Sequence, residues 1–442
     1  MSDFNAGRLR EAASALETLE RQAPATAEVE ELLGLVLSAE SDNRGAYVRF
    51  LKAVRLKPGW AAARANLAVN LSKLGKLPQA EAEFKRAIAT DPGDYEAYSD
   101  LGQFYLRQGK VAQALTPLEK AQSLHPSYRN GYNLALAYAQ TNRLRDAQHE
   151  LEELLKANDI SELHNLLAEV EERLGNYVAA AKQYQRAAEM NPSEENLFDW
   201  GAELLIHRTF DPAIAVFSDA LKRFPNSPRL LVGLGLANYG KGSYDDAVKA
   251  LVKAADLTPS DPRAYYFLSK AYDRSPSQAT QVIECFRRFA ELRPRDGEAQ
   301  LDYALSIWKG NEGAAPAALQ NVELLLKRAV ALDPSLSQGY FQLGIFYASE
   351  KRFAEAVPVY QESIRLKPNS PDAHYRLGQA YARLGKRDLA RREFQLHQSL
   401  YNQHLAEVDR QRAEVRQFVY SLKKNPADIE HRTRATLIIA PQ

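Results

Sequence analysis

The side chains that most often carry chemistry are few in this chain and poorly placed for it. His397 and His404 stand seven apart and can share one helix face, which is how a zinc site begins. No third ligand stands near them, so they read as surface histidines. The lone cysteine, Cys285, sits beside Phe286 and reads as a buried, inert thiol. It cannot form an internal disulfide, which fits a reducing compartment. The carboxylate pairs Glu152-Glu153 and Glu194-Glu195 are sequence neighbours and read as solvated helix faces, not as an acid–base dyad. A GxxxxGK(S/T) phosphate loop, HExxH, GxSxG and CxxC are all missing. The chain therefore reads as a non-enzyme, with no cofactor and no metal.

Composition narrows the partner class. With 57 Lys plus Arg against 56 Asp plus Glu, the net charge is +1, which gives no global attraction to nucleic acid or to an anionic membrane. Hydrophobic residues at 45% and charged ones at 26% describe a folded chain, not a disordered one. No apolar run reaches about 18 residues and no signal segment opens the chain, so no membrane insertion is expected.

What must be positioned is carried by helices of one recurring kind. Between Tyr98 and Pro126, Leu101 and Tyr105 share one helix face, and Ala114, Leu118 and Ala121 share another. Gly102 and Ala114 are small, which allows two helix axes to approach to about 8–10 Å. Gly109 supplies a left-handed residue between the helices, and Pro126 stops the second one. This spacing, W-x2-L-G-x2-Y, A-x3-F, then P, resembles the tetratricopeptide repeat with conservative swaps at its aromatic places. The resemblance runs along nearly the whole chain and implies an all-α, right-handed superhelical α-solenoid of antiparallel helix pairs.

Eleven repeats are expected over residues 27–404, in one continuous solenoid. Ala12, Leu16, Leu19 and Pro24 match only the second helix of a unit, so residues 1–26 read as a half-repeat or capping helix. They read equally as the remainder of a longer array that once carried upstream repeats or an export signal. The fourth repeat has Asp159 where a closing proline is usual. The eighth and ninth have lengthened turns, at Ser275–Ser277 and Gly310–Pro316, as a solenoid tolerates. Residues 405–424 read as an extended capping helix or a coiled-coil dimerisation helix, and 425–442 as a tail.

In this family the first helix of each pair lines a concave groove, so the resemblance implies where a partner binds. The fifth repeat position reads Glu31, Ala65, Ser99, Tyr132, Asn165, Phe198, Val232, Tyr266, Leu301, Phe341 and Tyr375. Aromatic groups gather toward the C-terminal end, with Tyr239 and Trp308 added at the twelfth position. Arg229 and Arg263 at the second position and Arg274 at the thirteenth add positive charge, diluted by Glu298 and Asp302 among other carboxylates. Two bland alternatives stand beside this. Aromatics at the fifth position also pack between units, and basic groups also favour helix ends.

The residues named for a groove are thus Tyr132, Phe198, Tyr239, Tyr266, Trp308, Phe341, Tyr375, Arg229, Arg263 and Arg274. The expected function is a non-catalytic protein–protein interaction scaffold that holds a peptide or helical segment of a partner. The other readings are a regulatory or targeting region of a larger enzyme or secretion assembly, and an RNA-binding helical repeat. The near-zero net charge and the lack of repeating base-reading pairs disfavour RNA. The chain is expected in the cytoplasm, or exported if an upstream signal exists, as a monomer or as a homodimer joined through the C-terminal helix.

Overall fold

The computed structural model describes Leu16, Thr18 and residues 26–275, 278–310 and 316–404, without the side chains at 316–318 and 402–404. Within these bounds all regular structure is α-helical, and twenty-two helices of the array follow one another as eleven antiparallel pairs. They fall into two compact units, one ending at Asn191 and one beginning at Pro192.

The first unit holds α1 (Ala27–Ala39), α2 (Asn43–Leu56), α3 (Ala61–Lys73), α4 (Leu77–Thr90) and α5 (Tyr95–Arg107). It continues with α6 (Val111–Leu124), α7 (Tyr128–Gln140), α8 (Leu144–Ala157), α9 (Ser161–Leu174) and α10 (Tyr177–Met190). The second unit holds α11 (Glu194–Ile206), α12 (Phe210–Arg223), α13 (Pro228–Lys241), α14 (Tyr244–Leu257), α15 (Pro262–Arg274) and α16 (Ala279–Leu292). It closes with α17 (Gly297–Gly310), α18 (Pro316–Leu332), α19 (Ser337–Ser349), α20 (Phe353–Leu366), α21 (Pro371–Arg383) and α22 (Arg387–His404).

Each core is built from the spacing that defines the repeat. On α12, Ala213, Phe217 and Ala220 are wholly buried, because positions seven apart through a shared fourth lie on one face. Gly102 on α5 shows why the small residue matters: a Cβ there would stand 2.5 Å from Leu118 on α6. That is well inside van der Waals contact, so a methyl group there would force Leu118 to shift. Gly109 adopts φ 70 at the following turn, the left-handed conformation expected of it.

Where the closing proline is missing, a polar contact replaces it. Asp159 accepts hydrogen bonds from His164 at 2.7 Å and Arg186 at 2.7 Å, tying the α8–α9 link to α9 and α10. Those two partners hold its carboxyl below the usual aspartate range. At the chain start, Leu16 is helical and packs against Leu33 and Val36. The remainder of the expected half-repeat lies outside the described residues, as do the helix and tail expected over 405–442 and residues 276–277 and 311–315 of the lengthened turns.

Candidate functional site

The first helices of pairs eight, nine and ten, with Phe286 and Phe289 of α16, together form a cavity of about 360 Å³ within the second unit. From α15 come Tyr266, Lys270 and Asp273; from α17, Glu298, Asp302, Leu305 and Lys309; from α19, Gln338 and Gln342. Tyr266, Lys270 and Asp273 recur at a spacing of three and four, as do Glu298, Asp302, Leu305 and Lys309, so each set stays on one helix face. The repeat pattern on the opposite face buries Leu268 and Tyr272 of α15 and Ala304 and Ile307 of α17, which fixes how both helices are rotated.

Charge in the cavity is mostly internally matched. Lys309 pairs with Asp273, and burial pushes the Lys309 ammonium below the usual lysine range. Lys270 donates to the Tyr266 hydroxyl at 2.7 Å and lies 4.2 Å from the centre of that ring, a cation–π geometry. Arg293 reaches Asp296 at 3.4 Å and the Ser260 carbonyl at 3.2 Å. Asp302 is different. Burial, with Glu298 and Asp296 adding negative potential, raises its pKa well above the usual aspartate value.

The structure distributes the ten sequence-named residues unevenly. Tyr266, 37% exposed, is the one among them that lines this cavity. Tyr375 is 40% exposed and packs on Phe394 and His397, with ring centres 5.7 Å and 5.1 Å apart. Trp308 and Phe341 are half-buried, Trp308 edge-on to Phe346 at 5.4 Å and Phe341 against Tyr360 at 6.2 Å. Tyr239 lies edge-on to Tyr244 and Phe267. In the first unit, Tyr132 stacks on Tyr128 at 5.8 Å.

One named residue does not reach the surface. Phe198 is 1% exposed, packed on Phe217 and covered by Arg229. Phe198 is therefore a core side chain, and packing explains its aromatic character. Arg229 is taken up by that ring and by Asp199 at 3.6 Å, and Arg263 is held by Asp261 on its own N-terminal turn. Arg274 is exposed at the end of α15.

Reading aromatic residues at the fifth and twelfth positions and basic ones at the second and thirteenth missed Lys270, Asp273, Gln338 and Gln342. These stand at the ninth, twelfth, second and sixth positions of their repeats, and a full helical-face count over the first helices would have found them. Among the described residues no group of three or more His, Cys, Asp or Glu is placed to hold a metal ion. Cys285 is buried, with Asp256 3.6 Å away and its thiol pushed up to about 11, chiefly by burial. It is neither accessible nor ionised at neutral pH.

Comparisons with known proteins agree with this architecture. A family model described as "Tetratricopeptide repeat" matches residues 65–129, 132–195 and 198–262. Two further models, "TPR repeat" and "Tetratricopeptide repeat", match 346–385 and 371–404. The chain is 26% identical over 188 residues to the TPR repeat-containing protein YpiA of Bacillus subtilis, covering 42% of each chain. It is 26% identical over 265 residues to tetratricopeptide repeat protein 37 of Xenopus laevis, covering 58% of this chain and 16% of that one. The chain thus spans less than half the length of either relative. Among solved structures it is similar to YrrB, titled a TPR protein with an unusual peptide-binding site, at 23% identity and a TM-score of 0.36 over 41% of this chain and 96% of that one. It is also similar to the C-terminal part of a TPR repeat-containing protein from Cytophaga hutchinsonii, at 16% identity and a TM-score of 0.46 over 55% of this chain and 97% of that one. With family models matched along more than half of its length and helix pairs built on the same spacing, the chain belongs to the tetratricopeptide-repeat family.

Proposed function

We propose that this chain is a non-catalytic scaffold that binds a peptide or helical segment of a partner protein on the exposed face of its first helices. The observation that carries this reading is the cavity on α15, α17 and α19. It offers an exposed aromatic ring at Tyr266, apolar floor at Leu301 and Leu305, and carboxylate, amine and amide groups within one pocket. A mixed lining of this kind suits a peptide, whose backbone offers donors and acceptors while its side chains fill apolar space. A polyanion such as RNA would meet Glu298 and Asp302 there. On this reading residues 27–404 act as one array, and Tyr375, Trp308 and Phe341 extend the same binding face toward the C-terminal repeats.

The test is affinity capture from a cell lysate with the full chain and with Tyr266→Ala, followed by mass spectrometry. Partners retained by the parent and depleted at least about threefold by the variant support the reading. An identical partner profile with a correctly folded variant contradicts it.

A further inference from the structure

The repeats supply an internal comparison. Three first helices carry an aspartate at the sixth position of their repeat: Asp100 on α5, Asp199 on α11 and Asp302 on α17. After the first two, the second position of the next repeat is an arginine, and each arginine reaches its aspartate. Arg129 stands 3.9 Å from Asp100, and Arg229 stands 3.6 Å from Asp199. After Asp302 the same position holds Gln338, an amide without charge.

Asp302 consequently has neither a hydrogen-bond nor an ion-pair partner among the described residues. It is partly buried on the cavity wall, where an unmatched carboxylate is unfavourable. The cations of the cavity are committed elsewhere: Lys309 to Asp273, Lys270 to Tyr266 and Arg293 to Asp296. One turn before Asp302, Glu298 is exposed and its carboxylate has no partner among the described residues either.

We infer that this cavity takes a lysine or arginine side chain of the bound peptide, which brings Asp302 the cation that Arg129 and Arg229 bring to its counterparts. The inference rests on the peptide-binding reading above and specifies the chemistry of one peptide residue. Carboxylates at Asp302 and Glu298 match an ammonium or a guanidinium.

The experiment selects a phage-displayed library of random peptides on the immobilised full chain, and then measures single retained peptides. Retained sequences are expected to share a lysine or arginine. Replacing that residue by a neutral isostere, citrulline for arginine, should weaken binding at least about tenfold. Asp302→Asn should weaken it equally. Gln338→Arg, which recreates the pairing of the third and sixth repeats, should abolish the basic preference without lowering the melting temperature. Gln338→Ala, which adds no charge, should keep it. Peptides that bind without a basic residue, or that bind Gln338→Arg and Gln338→Ala alike, overturn the inference while leaving peptide binding intact. A library that yields no binder at all overturns the peptide-binding reading, and this inference with it.

Discussion

Arg229 holds its guanidinium 3.9 Å from the centre of the Phe198 ring and reaches Asp199 at 3.6 Å. One side chain at the second repeat position thereby covers the fifth position of the preceding repeat and balances the charge at its sixth. Where the second position is instead acidic, as at Glu298 after Tyr266, the ring is left exposed. The relationship separates core from surface at a position whose residue type alone does not.

Phe198→Ala should therefore be a stability variant. Emptying a fully buried phenylalanine site costs about 3–5 kcal/mol, whereas Tyr266→Ala and Tyr375→Ala, at half-open sites, should cost below about 1 kcal/mol. Denaturant titration of the three variants checks this. Comparable losses in all three would mean that Tyr266 and Tyr375 are also core residues.

The fold was legible because its signals are local and repeated. The spacing of Leu101, Gly102, Ala114 and Leu118 dictates one helix pair, and ten further copies leave little ambiguity about class or helix ends. The site was only half legible. Tyr266, at the fifth position, lines the cavity, but Phe198 has the same position and the same aromatic chemistry and is buried. What buries it is an arginine thirty-one residues later, a contact that no single-repeat pattern contains. Asp302 and Glu298 were visible only as dilution of a basic patch, since their importance depends on which neighbouring cations are already engaged.

Asp100 should make stability depend on pH in a defined sense. Burial outweighs the opposing Arg129 and raises its carboxyl from 3.8 to about 6. The folded chain thus holds this proton more tightly than the unfolded chain. The associated stability is full below about pH 4 and is lost as pH rises through about 6. Asp100→Asn, which cannot ionise, should be more stable than the parent by about 1–2 kcal/mol at pH 7.5, after solvent screening is allowed for, and nearly equal to it at pH 4. Glu323 works in the opposite sense. Arg352 and Lys327 overcome burial to hold it at about 2, so its contribution is present above about pH 4.5 and fades below. A pH-independent difference between Asp100→Asn and the parent would contradict the assignment.

Close helix approach gives a third expectation. Gly102→Ala places a methyl group 2.5 Å from Leu118 and should cost about 1–3 kcal/mol through overpacking. Gly59, around which a Cβ meets nothing within 4 Å, is the control, and Gly59→Ala should fall within about 0.5 kcal/mol of the parent. Equal melting temperatures for the two variants would show that α5 and α6 can separate at little cost.

Asn70 on α3 points to a stabilising substitution. It is 1% exposed, and neither its amide nitrogen nor its oxygen has a hydrogen-bond partner among the described residues. Asn70→Leu, which keeps the branching at Cγ, removes two unsatisfied groups and should raise stability by about 1–2 kcal/mol. A lower denaturation midpoint for this variant would reveal a partner for the amide.

The central claim is that partners bind on the face of the first helices, and site-specific photocrosslinking tests it most directly. A benzoylphenylalanine placed at Tyr266 on α15 should crosslink to the captured partner under illumination. The same group placed at Leu324, 65% exposed on the second helix α18, should not. Efficient crosslinking from 266 and none from 324 is the predicted result; crosslinking from 324 with none from 266 would place the partner on the opposite helices and contradict the account.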